Sequence, residues 1–186
     1  LADPENPAIV TPSWGGFSRA HTIHIDQASA TAYVAGRNGT GGVLILRLTQ
    51  PMAPTVAGMW DVAYVHDMFV RDGRMYAAAI NQGKCYILNI ANLAVPTVLG
   101  VIANYPDAFT HNVWATGDGS HVLTTDERAG AVVRMWDVSD PVHPEQTSFW
   151  SSFTTGRAIP HNVHVDGNLA YVSYYTAGVR VLDIAD

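Results

Sequence analysis

The feature that most constrains the fold of this 186-residue chain is a short stretch that occurs four times. It reads Ala20-His21-Thr22-Ile23-His24-Ile25-Asp26, then Val65-His66-Asp67-Met68-Phe69-Val70-Arg71-Asp72-Gly73, then Thr110-His111-Asn112-Val113-Trp114-Ala115-Thr116-Gly117, and last Pro160-His161-Asn162-Val163-His164-Val165-Asp166-Gly167. Each copy starts with a histidine, runs through about five strand-forming residues and stops at a turn. His21, His66, His111 and His161 are 45, 45 and 50 residues apart. A fixed period of this size is the mark of a repeat architecture.

Each repeat can be divided further. Asp-Gly pairs at 72–73, 118–119 and 166–167 favour tight hairpins after the histidine strand. Second strands are expected at 31–35, 74–79, 121–125 and 169–174, and third strands at 43–48, 84–90, 131–138 and 178–184. An outer strand then follows a proline segment: Pro51 and Pro54 lead to Trp60, Pro96 to Ile102, and Pro141 and Pro144 to Trp150. Proline donates no backbone hydrogen bond, which suits an edge and not a sheet centre. No segment carries a sustained 3.6-residue apolar period, so no long helix is expected. Both faces of the histidine strand are mostly apolar or aromatic, as in a strand covered on both sides.

Four antiparallel strands in about 45 residues is the size of a propeller blade. The expected fold is all-β: one β-propeller of four four-stranded blades, with repeats at about 15–60, 61–104, 105–154, and 155–186 plus 1–14. The opening Asp3-Pro4 to Trp14 repeats the outer-strand pattern that the last repeat lacks. Ring closure by the N-terminal strand is therefore expected, and the alternative is an arc of a longer array.

The segments Thr110-His111-Asn112-Val113, Thr124-Thr125-Asp126-Glu127 and Val132–Pro144, with the whole of Pro160–Asp186, resemble the LVIVD-repeat propellers, notably those called choice-of-anchor B proteins. The resemblance implies a β-propeller that is extracellular or displayed on the bacterial cell surface, acting as a binding or scaffold domain. It brings no settled catalytic motif with it.

Composition narrows the partners. Hydrophobic residues make up 48% of the chain and charged residues 14%, a globular balance. A net charge of −6, with ten Lys and Arg together, argues against nucleic acid and anionic membranes. No apolar run is long enough to insert in a membrane as a helix. The one cysteine, Cys85, excludes an internal disulfide.

The candidate chemistry starts with the repeat histidines. In a propeller the innermost strand lines the central channel, so His21, His66, His111 and His161 are expected at one mouth. Imidazole is a good ligand for a divalent transition metal, and such an ion in the channel is one expectation. The alternative is that each histidine ties one blade to the next by a buried hydrogen bond. His24 and His164 lie on the opposite strand face, apart from that site. Asp126 and Glu127, in the Thr125–Arg128 loop at the same mouth, are candidate acid, base or ligand groups beside His111. Arg37, Asn38, Asn81, Arg128, Tyr174 and Tyr175 come from equivalent loops and are expected to form a rim that binds a protein or small molecule. The glycine-rich 36–42 stretch joins two strands and lacks a Lys-Ser/Thr ending, which argues against a phosphate loop.

Overall fold

In the computed structural model, residues 4–7, 14–39, 41–152 and 157–185 are described. They form four antiparallel sheets in chain order. The first holds β1 (Thr22–Asp26), β2 (Thr31–Ala35), β3 (Val43–Arg47) and β4 (Thr55–Trp60). The second holds β5 (Asp67–Arg71), β6 (Arg74–Ala79), β7 (Lys84–Asn89) and β8 (Thr97–Ile102). The third holds β9 (Thr110–Ala115), β10 (His121–Asp126), β11 (Val133–Asp137) and β12 (Glu145–Trp150). The fourth holds β13 (Val163–Asp166), β14 (Leu169–Ser173) and β15 (Val179–Asp183). The helical content of the described residues is three short 3-10 turns. The expected N-terminal outer strand falls mostly on residues outside those described.

Local chemistry explains the hairpins and edges. Asp72 and Gly73 both take positive φ, 49° and 72°, the conformation a two-residue hairpin turn requires. The outer strands β4, β8 and β12 each begin directly after a proline, at Pro54, Pro96 and Pro144. A Cβ on Gly58 would come 1.7 Å from the Leu93 carbonyl oxygen, and one on Gly100 1.8 Å from that of Pro141. Only glycine lets the loop of the next blade lie so close to the outer strand.

Alternation along each strand sorts side chains onto two faces, and those faces form the core. Tyr33, Ala35, Val43 and Ile45 of the first blade pack on Met68, Val70, Met75, Ala77 and Leu88 of the second. Phe69, Tyr76, Cys85 and Ile87 on the other face of the second blade pack on Val113, Val122 and Trp136 of the third. Leu123 and Val133 of the third meet Val163, Val165, Ala170 and Val172 of the fourth. Trp60 is 4% exposed and its ring lies 5.0 Å from Tyr86 of the next blade. Trp150 meets Tyr174 edge-on across the next junction. Trp14 joins Phe17 and Leu48 over Ala32, Val34, Leu44 and Leu46, and donates its indole N–H to the Pro54 carbonyl.

The expected closed ring differs from what the described residues show. No cluster among them joins the fourth blade to the first. Ile23 and Ile25 on β1 remain 59% and 52% exposed, and Val179 and Val181 on β15 remain 67% and 54% exposed.

Candidate metal centre at the channel mouth

The four repeat histidines stand just before or at the start of the innermost strands, and they stack in a row. Ring centroids are 3.8 Å apart for His21–His66, 4.3 Å for His66–His111 and 4.2 Å for His111–His161. The His66 Nδ1 lies 3.3 Å from the His111 carbonyl oxygen, and the His111 Nδ1 lies 3.1 Å from that of His161. A carbonyl only accepts, so each of these Nδ1 atoms carries the proton and donates. The blade-tying role is therefore present. Its chemical consequence is that the Nε2 of a neutral His111 must offer a lone pair.

That lone pair faces a carboxylate. His111 Nε2 is 3.6 Å from Glu127 Oε2, and His161 Nε2 is 3.9 Å from Glu127 Oε1. Glu127 follows β10 directly, and its Oε1 accepts a 2.5 Å hydrogen bond from the Tyr175 hydroxyl, which belongs to the 3-10 turn of the fourth blade. Tyr175 also sets its ring edge-on to His161, with centroids 5.2 Å apart. One ligand atom from each of His111, Glu127 and His161 falls within 4.8 Å of the others, the group of this kind among the described residues. Of the four histidines expected at one mouth, the geometry groups His111 and His161 with Glu127, while His21 and His66 continue the stack outside that group.

Charge follows from these surroundings. His111 is 3% exposed, and burial, aided by the rings of His66 and His161, pushes its pKa down to about 4. Burial pushes Glu127 up, but the Tyr175 hydrogen bond and the adjacent His111 and His161 outweigh it and leave the carboxyl below its ordinary range. At neutral pH a neutral imidazole therefore points an acceptor atom at an ionised carboxylate. Two acceptors facing each other repel unless a cation, a proton or a donating water lies between them. Ligand atoms on a tetrahedral zinc at 2.0–2.1 Å are roughly 3.4 Å apart. The His–Glu spacings here, 3.6 and 3.9 Å, are longer than that, so a small divalent ion would require the three side chains to close in by a few tenths of an ångström or more.

Asp126 is not part of this mouth. It ends β10 and is fully buried, its oxygens taken by the Tyr105 hydroxyl, the Phe109 N–H and Arg134. Tyr174, expected on the rim, is 1% exposed and donates its hydroxyl to the Ala131 carbonyl. Tyr174 keeps the inward parity of Ala170 and Val172, whereas Asp126 lies past a bulge at the end of β10, a strand buried on both faces. Of the other rim residues, Arg37 pairs with Asp61 at 3.2 Å, and Asn38 accepts from Ser18. Asn81 is exposed, and Arg128 lies over the Phe109 ring.

Two further layers lie below the mouth. Residues one place after the histidines form a polar centre: Asp67 accepts from Asn112 at 2.7 Å and from Asn162 at 3.4 Å, and Asn112 accepts the Val163 N–H. Burial pushes the Asp67 carboxyl up while these bonds restrain it. The recurrence of polar residues at this place was a readable signal and was missed. Three places after the histidines comes an aromatic row, His24–Phe69–Trp114–His164, with centroids 5.3, 4.7 and 4.1 Å apart. Cys85 is fully buried and its thiol is pushed up to about 12, which makes it unreactive.

Comparison with known proteins supports the fold. No family model matches the sequence, and no curated protein does. Among solved structures, a candidate 6-phosphogluconolactonase from Bacteroides uniformis superposes with a TM-score of 0.72 at 13% identity, over 94% of this chain and 56% of the other. The C-terminal WD40 domain of Sif2 matches with a TM-score of 0.64 at 13% identity, over 89% of this chain and 46% of that one. The computationally designed Ika4 protein gives 0.69 at 9% identity, over 97% and 100%. The fold is propeller-like. The chain spans about half the length of the natural propellers it matches.

Proposed function

We propose that this chain is an extracellular or cell-surface β-propeller binding module of the LVIVD-repeat kind, and that its channel mouth holds a divalent transition metal on His111, His161 and Glu127. The location and the family rest on the resemblance of the repeat sequences. The metal rests on one observation: the Nδ1 of His111 is spent on the His161 carbonyl, so its Nε2 faces the Glu127 carboxylate at 3.6 Å as an acceptor. A metal ion bound between them turns this contact favourable. Three protein ligands leave a fourth position for water or a bound group, and exposed Tyr175 stands beside it. Glu127 acts here as a ligand, so the role of general base expected for it is set aside. The ion, if bound, supplies a Lewis-acidic point at which a protein side chain or small anionic molecule docks.

A metal-free reading has its own support, because a single water donating to the imidazoles' open nitrogens and to Glu127 would fill the same gap. Elemental analysis of protein purified without a histidine tag separates the two. About one zinc-class ion per chain is expected, and Glu127→Gln should reduce it to background while keeping the β circular dichroism. Metal-free wild type that takes up none on titration overturns the proposal.

A further inference from the structure

We infer that Tyr105 is a positioning residue of the mouth, a clamp that fixes His111 and Glu127 against each other through the residue that precedes each of them. This role rests on the reading of His111, His161 and Glu127 as a metal site. A register shift shows why a clamp is needed. In the β9–β10 pairing Thr125 faces Asn112, but the next residue, Asp126, faces Thr110. One step on β10 thus spans two on β9, and the extra residue is His111. The pairings β1–β2, β5–β6 and β13–β14 of the other blades carry no such shift. A bulge re-aims the side chain it carries and disrupts the ladder that would hold it.

One hydroxyl spans that disruption. The Tyr105 oxygen lies 2.6 Å from Thr110 Oγ1 and donates to Asp126 Oδ1 at 3.0 Å. A hydroxyl has one hydrogen, and Tyr105 spends it on Asp126, so Thr110 donates to Tyr105. Thr110 leads directly into His111, and Asp126 into Glu127. Asp126 also accepts the Phe109 N–H at 2.6 Å, and the Glu127 N–H lies 3.4 Å from the Phe109 carbonyl oxygen. The Tyr105 ring is itself held, with the Arg134 guanidinium 4.7 Å from its centroid and Trp136 at 5.2 Å. Thr110 and Asp126 are fully buried, so bulk water does not replace the hydroxyl between them. Gly36, Ala79 and Tyr174 stand where Asp126 does in the other blades, and Arg37, Ile80 and Tyr175 where Glu127 does. The buried acid, the bulge and the ligand acid therefore occur together in the third blade.

Zinc titration of the folded 186-residue chain by calorimetry reads the clamp. Tyr105→Phe and Thr110→Val each remove one hydroxyl at nearly constant shape, and both should bind zinc at least about tenfold more weakly than wild type. Thr110→Ser keeps the hydroxyl and should bind as wild type does. Tyr33→Phe, at a buried ring of the first blade, should also leave affinity unchanged. A general loss of stability does not sort the variants in this way. Wild-type affinity in Tyr105→Phe and Thr110→Val overturns the inference, and so does an equal loss in Tyr33→Phe. Imidazole nitrogen-15 spectra of metal-free protein give a second readout. The His111 resonances should move in Tyr105→Phe and Thr110→Val, while those of His24 and His143 stay in place. If wild type takes up no zinc, the metal reading fails and these spectra decide the clamp by themselves: an unmoved His111 refutes it.

Discussion

The two ring layers of the channel make an instructive comparison. They sit on the same four strands, three residues apart, and both stack at similar centroid distances. In the lower row Phe69 and Trp114 occupy the middle, and the row functions as packing between blades. In the upper row every member is a histidine, Nδ1 donors of His66 and His111 run to the next blade, and one carboxylate looks at two of the rings. Stacking alone therefore does not make a site. The upper row becomes one because a backbone acceptor fixes the tautomer and a loop acid arrives on the open side.

The largest effect should come from the lower row. Phe69→Ala removes a ring that is 3% exposed and should cost on the order of 3–5 kcal/mol in chemical denaturation. The fraction that stays folded should bind metal as before. A cost below about 1 kcal/mol would mean that the lower row is not the packing layer.

Acid comes next and acts on the upper row. The unfolded chain protonates its histidines near pH 6.5, whereas folded His111 waits until about 4. Between these values the unfolded state binds more protons, so stability should fall as pH drops from 6.5 to 4 and level off below. The loss from this group is at most about 3 kcal/mol, given roughly 1.4 kcal/mol per unit. Denaturation midpoints across that window check it, and a flat profile in which His111→Asn behaves like wild type would contradict the burial argument.

A smaller change in stability should follow Glu127→Gln, under about 1 kcal/mol, because the side chain is part-exposed and keeps an acceptor for Tyr175. Its metal affinity should nevertheless drop at least tenfold, the lower end of what even supporting residues cost. The smallest effect is expected at His143, exposed and paired with Asp140 at 2.9 Å. His143→Ala should stay within about 0.5 kcal/mol and leave metal binding untouched, which guards against attributing uptake to surface imidazoles.

Much of the frame was legible in the sequence because strands announce themselves by turns and prolines. The expected second strands at 31–35 and 74–79 match β2 and β6 residue for residue. The site was less legible for a physical reason. Which histidines share a ligand depends on where a loop from β10 ends, and spacing along the chain does not encode that. Asp126 lies one residue past the expected strand end at 125, beyond a bulge that turns it into the buried Tyr105–Arg134 pocket, and Tyr174 closes its expected strand with the parity of Val172, which turns it inward. The Asp67–Asn112–Asn162 centre was less legible because its members differ in type from blade to blade and meet only across the channel. The expected closing strand lies largely on residues outside those described, and the exposed Ile23 and Val181 show why closure could not be read from periodicity alone.

The tautomer of His111 tests the central claim most directly. Nitrogen-15 chemical shifts of the imidazoles, recorded at pH 7 on metal-free protein, should place the proton of His111 on Nδ1 and leave Nε2 unprotonated. Adding one equivalent of zinc should then move the Nε2 resonances of His111 and His161 and leave that of His143 in place. A His111 protonated on Nε2, or one whose Nε2 ignores zinc, would contradict the account.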